Sequence, residues 1–233
     1  MGVVSLSAHV IETVCVDAEA AQIACAGAMV DALATALDRR PRVSFAGSGG
    51  TTPKAVYPIM AKADLPWARV VVTLTDERWV PVDDPQSNEG LARRHLLVGA
   101  AAAAEMIGLK NDAATPSDGL LAAERALAPL PWPLDVVYLG MGPDGHIASL
   151  FPSADTWGND AARLVSAHSP AAPHERMSLS MASLIAAREV FLLVTGDAKR
   201  TVLEGLDSGP EDAALPIAGL INQRSRGLRI YRD

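Results

Sequence analysis

The chain has 233 residues, 49% hydrophobic and 20% charged, enough for one compact unit with a sizeable core. Its formal net charge of −7, with no basic stripe to offset it, argues against sequence-independent nucleic-acid binding; an anionic substrate would need a locally positive pocket. The two cysteines, Cys15 and Cys25, lack metal-ligand spacing, which argues against a structural zinc and is compatible with a reducing cytoplasm.

The N-terminus lacks a basic segment followed by a long apolar core, and Glu12, Asp17 and Glu19 interrupt it early, so no secretory signal is expected. Residues 10–16 read as a strand. Ile23, Ala26, Val30, Leu33 and Leu37 then recur at 3–4 spacing, the pattern of an amphipathic helix. Residues 43–46 form a short strand entering a glycine loop, where Thr52-Pro53 reads as an N-cap followed by proline at the first helical position. The clearest buried strand is 70–75, which stops at Asp76-Glu77-Arg78. Ser87 opens a helix to Leu97, and the alanine-rich residues 98–104 are expected to lengthen it. The apolar run 96–104 is too short to span a bilayer and ends at Glu105, so no membrane partner is expected.

Pro116-Ser117 opens another helix to about Leu127. Residues 129–133 are a proline-rich break, but the core strand 135–139 follows directly, so the chain reads as a single domain over residues 1–233. A loop-rich stretch (151–173), a strand (190–195), a helix from Asp197 and a last strand (228–231) complete the pattern. Strands alternating with helices give an α/β fold with a doubly wound, mostly parallel sheet, possible room for a small subdomain, and no internal repeat.

Three strand ends carry candidate chemistry, because ligands of open α/β sheets bind outside the carboxyl ends of strands. After 135–139 comes Gly140-Met141-Gly142-Pro143-Asp144-Gly145-His146, an imidazole and a carboxylate on one glycine-rich turn. After 43–46 comes Gly47-Ser48-Gly49-Gly50-Thr51-Thr52-Pro53, where backbone N–H groups, hydroxyls and a helix N-terminus suit a phosphate. It is neither a dinucleotide fingerprint nor a Walker A loop. After 70–75, Asp76-Glu77-Arg78 places two acids and a guanidinium in a row; by itself such a triplet reads as a solvated charged turn. Two further cations stand out: Lys199, in the first turn of a helix whose dipole it opposes, and Arg176, on the polar face of a short extended segment. Taken singly, each reads as surface charge.

The ordered set Ser48-Gly49-Gly50-Thr51-Thr52-Pro53, Asp76-Glu77-Arg78 with Val80-Pro81, Ser87-Asn88, and Leu139-Gly140-Met141-Gly142 with Asp144-Gly145-His146 and Ala148-Ser149-Leu150-Phe151-Pro152 resembles the 6-phosphogluconolactonases. The likeness runs from about Phe45 to Lys199. It implies a Rossmann-like fold related to glucosamine-6-phosphate deaminase, and cofactor-free hydrolysis of 6-phosphogluconolactone in the pentose phosphate pathway. It further implies that His146 is the general base on water, that Ser48, Gly49, Gly50, Thr51, Arg176 and Lys199 hold the phosphate, and that Asp76, Arg78 and Asp144 belong to the catalytic pocket. The deaminases carry a glutamate five residues beyond the motif histidine; here that position is Phe151, which suits hydrolysis better than deamination. Ile147 stands where the lactonases usually have a small polar residue, a position not expected to carry chemistry.

The residues suit that chemistry independently of the likeness. A lactone carbonyl is already activated, so hydrolysis needs a base for water and help for the oxyanion. Histidine is suited to proton transfer near neutrality. Asp144 or Asp76 would orient it, the sequence leaving the choice open, and Arg78 is the best cationic candidate for the developing charge. No metal, cofactor or obligate protein partner is called for; the partner is a small phosphosugar lactone in a cytoplasmic setting. Two rivals stand. Ala46-Gly47-Ser48-Gly49-Gly50 nearly matches the G-x-S-x-G elbow of a serine esterase. The other is a non-catalytic sugar-phosphate binding protein on the same fold.

Overall fold

A computed structural model of the chain describes residues 10–152, 162–206 and 215–233; residues 153–161 of the expected loop-rich stretch lie outside these, as do residues 1–9 at the N-terminus. Strand β1 (Val10–Val14) leads to Asp17, whose carboxylate accepts the Ala20 N–H at 2.8 Å and caps α1 (Ala18–Arg39). By length and composition α1 could cross a membrane, but Ala21, Cys25, Met29 and Leu33 are fully buried within the hydrophobic core. β2 (Val43–Gly47), α2 (Pro53–Met60) and β3 (Val70–Leu74) follow, and every residue of β2 and β3 is buried, as strands covered on both faces require. Then come β4 (Asp76–Arg78), α3 (Asn88–His95), β5 (Glu105–Met106), α4 (Pro116–Ala126) and β6 (Val136–Gly140). The remainder is β7 (Leu164–His168), β8 (Glu175–Leu179), α5 (Met181–Ala186), β9 (Glu189–Val194), α6 (Asp197–Glu204), α7 (Pro216–Gln223) and β10 (Leu228–Arg232).

Seven strands form one parallel sheet in the order β1-β10-β9-β6-β2-β3-β5, and β4-β8-β7 form a small antiparallel sheet beside it. This is the doubly wound architecture expected, the second sheet filling the place left for a subdomain. From β2 the chain winds one way to β3 and β5. From β6 it winds the other way to β9 and β10. The winding therefore reverses between β2 and β6, the crevice where ligands bind in such sheets.

The expected lengthening of α3 does not occur. The helix stops at His95, and Gly99, at φ +57°, opens a tight 3-10 turn (Gly99–Ala103) that feeds β5. Alanine favours helix, but the chain must turn here to reach the edge of the sheet, and the tertiary demand wins. The charged triplet is a strand, β4, rather than a solvated turn, and β7 lies inside the stretch read as loop. Thr52 precedes α2 as expected, but its side chain makes no capping hydrogen bond.

Candidate active site

Neighbouring strands β9, β6, β2 and β3 end side by side, so their carboxyl ends deliver Lys199, the His146 turn, the glycine loop and Asp76 to one rim of the sheet. At the reversal point itself, Ser48 Oγ would lie 3.8 Å from a Cβ placed on Gly140.

The His146 turn closes on its own hydrogen bonds. Gly142 N–H donates to the His146 carbonyl at 2.9 Å and Gly145 N–H to the Gly142 carbonyl at 3.1 Å, with Gly145 at φ +79°. A Cβ at position 142 would stand 2.2 Å from the imidazole and 2.5 Å from Asp144 Oδ1, so the ring and the carboxylate pack directly on the bare Gly142 backbone. His146 Nδ1 lies 2.6 Å from Asp144 Oδ1. The carboxylate accepts, so Nδ1 carries the proton and the Nε2 lone pair is free to take one. Of the two acids considered for this contact, the one beside the ring is Asp144. The Phe151 ring lies 4.9 Å from the imidazole, centroid to centroid, and gives that flank an apolar wall.

Asp76 serves a different contact set. It is buried, and its Oδ2 accepts the Ser149 hydroxyl at 2.6 Å and lies 3.9 Å from Arg176 Nη1. Asn88 Nδ2 donates to its main-chain carbonyl at 2.8 Å and reaches its Oδ1 at 3.3 Å. Asp76 thus ties the segment after His146, through Ser149, to the end of β3. Glu77 is fully buried at the N-terminus of α3, accepting from the main-chain N–H groups of Arg78, Asn88 and Glu89 and from the Ser87 hydroxyl at 2.7–3.0 Å. Burial pushes its carboxyl up to about 7 against the pull of these donors.

In the small sheet Arg78 stands directly opposite Arg176. Like charges in that register repel unless an anion lies between them. Arg176 is buried, its Nε donates to the Pro173 carbonyl at 2.7 Å, and desolvation lowers its pKa, as does the nearby Arg78 charge, while Asp76 opposes the shift. Arg78 donates from Nη1 to the Gln86 carbonyl at 2.6 Å, and its buried Nε has no acceptor among the described residues.

The glycine loop is braced from below. The Tyr57 hydroxyl donates to the Ser48 carbonyl at 2.5 Å, and Gly47 must lack a side chain because a Cβ would meet that hydroxyl at the same distance. A Cβ on Gly49 would lie 1.8 Å from Asn88 Oδ1, and Gly50 adopts φ +95°. Lys199 is half-buried, forms no ion pair among the described residues, and has its pKa lowered by desolvation. The structure therefore brings Arg176 to Arg78 and Asp76, while Lys199 approaches from β9. Sequence reasoning assigned no role to Tyr57, Asn88, Ser149 or Glu77. Of these, Glu77, Asn88 and Ser149 stand inside the quoted motifs, which is the available signal.

The model of a family described as glucosamine-6-phosphate isomerases/6-phosphogluconolactonase matches residues 16–229. The chain belongs to this family. A 6-phosphogluconolactonase of Caulobacter vibrioides is 44% identical over 214 residues, covering 89% of this chain and 90% of that protein. The crystal structure of a 6-phosphogluconolactonase from Shewanella baltica matches with a TM-score of 0.92 at 32% identity, covering 98% and 99% of the two chains. A monomeric glucosamine-6-phosphate deaminase shares the fold, with a TM-score of 0.75 at 17% identity over 95% of this chain and 97% of that one.

Proposed function

We propose that the chain is a single lactonase domain that hydrolyses 6-phosphogluconolactone to 6-phosphogluconate. The observation that carries the reading is the imidazole of His146, fixed through Nδ1 by Asp144 at 2.6 Å with Nε2 left as base, on the rim shared with the glycine loop. Its close relatives are named for this activity. Nε2 takes a proton from water, and the resulting hydroxide attacks the lactone carbonyl carbon. The tetrahedral oxyanion collapses, the ring C–O bond breaks, and the imidazolium returns its proton to the departing ring oxygen. Arg78 faces the developing oxyanion. The main-chain N–H groups of the glycine loop with the Ser48 and Thr51 hydroxyls, together with Lys199 and Arg176, receive the phosphate. Asp76 acts through others, holding Ser149 and Arg176 in place.

The conformation of Ser48 speaks against the esterase alternative. A nucleophile elbow is a strained turn, yet Ser48 has no positive φ, and its hydroxyl bonds to the Gly49 carbonyl at 3.4 Å rather than to a base. The setting is cytoplasmic, and the partner is a small molecule, with no nucleic acid, membrane or obligate protein. Offering the purified protein 6-phosphogluconolactone and glucosamine 6-phosphate in parallel tests the reading. Turnover of the lactone well above its spontaneous hydrolysis, with no ammonia released from the amino sugar, is expected. Release of ammonia, or binding without turnover of either, would overturn it.

A further inference from the structure

At the opposite end of the sheet, where β6, β9 and β10 begin, a cavity of about 530 Å³ opens against the C-terminal half of α1. That is the volume of an ordinary small-molecule site. Its α1 wall is cut back to small side chains, among them Ala28, Ala32 and Ala36, and five arginines surround it: Arg39, Arg40, Arg188, Arg226 and Arg229. Against them stand three acids. Asp135 is buried and engaged by Arg40 at 2.7 Å and Arg188 at 3.2 Å, Glu189 pairs with Arg229 at 3.2 Å, and Asp31 is exposed. Arg39 and Arg226 have no ion-pair partner among the described residues, and the cavity carries an excess of two positive charges in a chain whose net charge is −7.

The C-terminal end of the α1 dipole accounts for a cation at Arg39 or Arg40 but not for Arg226, which comes from the turn before β10. Arg226 also bears on Arg224, whose buried guanidinium it pushes further down, to about 10 in all with desolvation as the larger cause. Nothing in the proposed lactonase chemistry uses this end of the sheet.

We propose that this cavity is a second binding site, separate from the catalytic rim by the length of the strands, for a phosphate-bearing small molecule. Two unpaired guanidinium forks supply the charge that balances a phosphate group at pH 7 and the geometry that grips its oxygens in pairs. The rest of the volume takes the body of the ligand against the alanine wall.

Titration with inorganic phosphate followed by phosphorus NMR tests the proposal on the intact enzyme. The wild type and Lys199→Ala proteins should both show a binding class that the double variant Arg39→Ala/Arg226→Ala weakens about 10-fold or more. Both arginines are exposed and unpaired, so the double variant should fold with unchanged melting temperature and unchanged lactone turnover. Phosphate binding of undiminished strength in the double variant, or binding confined to a class that Lys199→Ala removes, would overturn the second site. Because turnover is read separately, failure here and failure of the lactonase reading are distinguishable.

Discussion

The proposed base, His146, is positioned by a residue that carries no side chain. Gly142 lets the imidazole and the Asp144 carboxylate lie on its backbone at van der Waals distance, and no other residue leaves that space. Gly142→Ala should displace the ring by an ångström or so and lower kcat roughly 10²-fold, while the melting temperature changes little. Steady-state kinetics with a thermal melt checks this; full activity would show that the packing does not set the geometry. Ser48 offers a contrasting case. As a phosphate ligand, it should tolerate Ser48→Ala with a raised KM and substantial kcat. A variant that binds normally yet does not turn over, or mass spectrometry showing acyl group captured on Ser48, would restore the esterase reading.

At the scale of elements, β4 and β8 create the cationic ground of the site by pairing Arg78 with Arg176. Because charge-assisted hydrogen bonds contribute ~1.5–3 kcal/mol each, Arg176→Gln or Lys199→Ala should lower kcat/KM by ~10–100-fold on the phosphorylated lactone. The effect should be far smaller on unphosphorylated gluconolactone, itself a much poorer substrate. Comparable losses on both lactones would remove these residues from the phosphate site. The same strand is anchored by Glu77, which gathers four donors at the start of α3. Glu77→Gln puts an amide N–H₂ against those donors and should destabilise the fold by ~1–3 kcal/mol, readable by urea denaturation. An unchanged midpoint would show that the cap is not needed.

These elements also show what the sequence reveals. The His146 turn and the glycine loop are legible because glycine density, strand periodicity and helix-capping signals are local. β4 is not, because a three-residue charged strand exists only through its register with β8, far along the chain. Glu77 looks like surface charge until the N-terminus of α3 folds over it. Tyr57 reads as an ordinary helical core residue; that its hydroxyl holds the Ser48 carbonyl follows only from the packing of α2 under the loop. The short helices α5 and α7 carry too few turns for a period to show, and six of the eight residues of α7 are buried, leaving no polar face to mark it.

For the molecule as a whole, the strand order does the assembling. The reversal between β2 and β6 draws together segments separated by most of the chain, and each then needs only its own strand end to arrive at the rim. Arg224 binds the opposite end of the fold, donating to the carbonyls of Leu184, Ile185, Arg188 and Gly227 at 2.9–3.2 Å from a nearly fully buried position. Catalysis as proposed turns on His146 as the base, and the most direct test is kcat/KM of His146→Ala on 6-phosphogluconolactone across pH, corrected for spontaneous hydrolysis. Loss of a general base predicts a drop of roughly 10²–10⁴-fold with the fold intact, and disappearance of the acid limb on which wild-type activity falls as the base takes up its proton. A folded His146→Ala protein with near-normal turnover and an unaltered pH profile would contradict it.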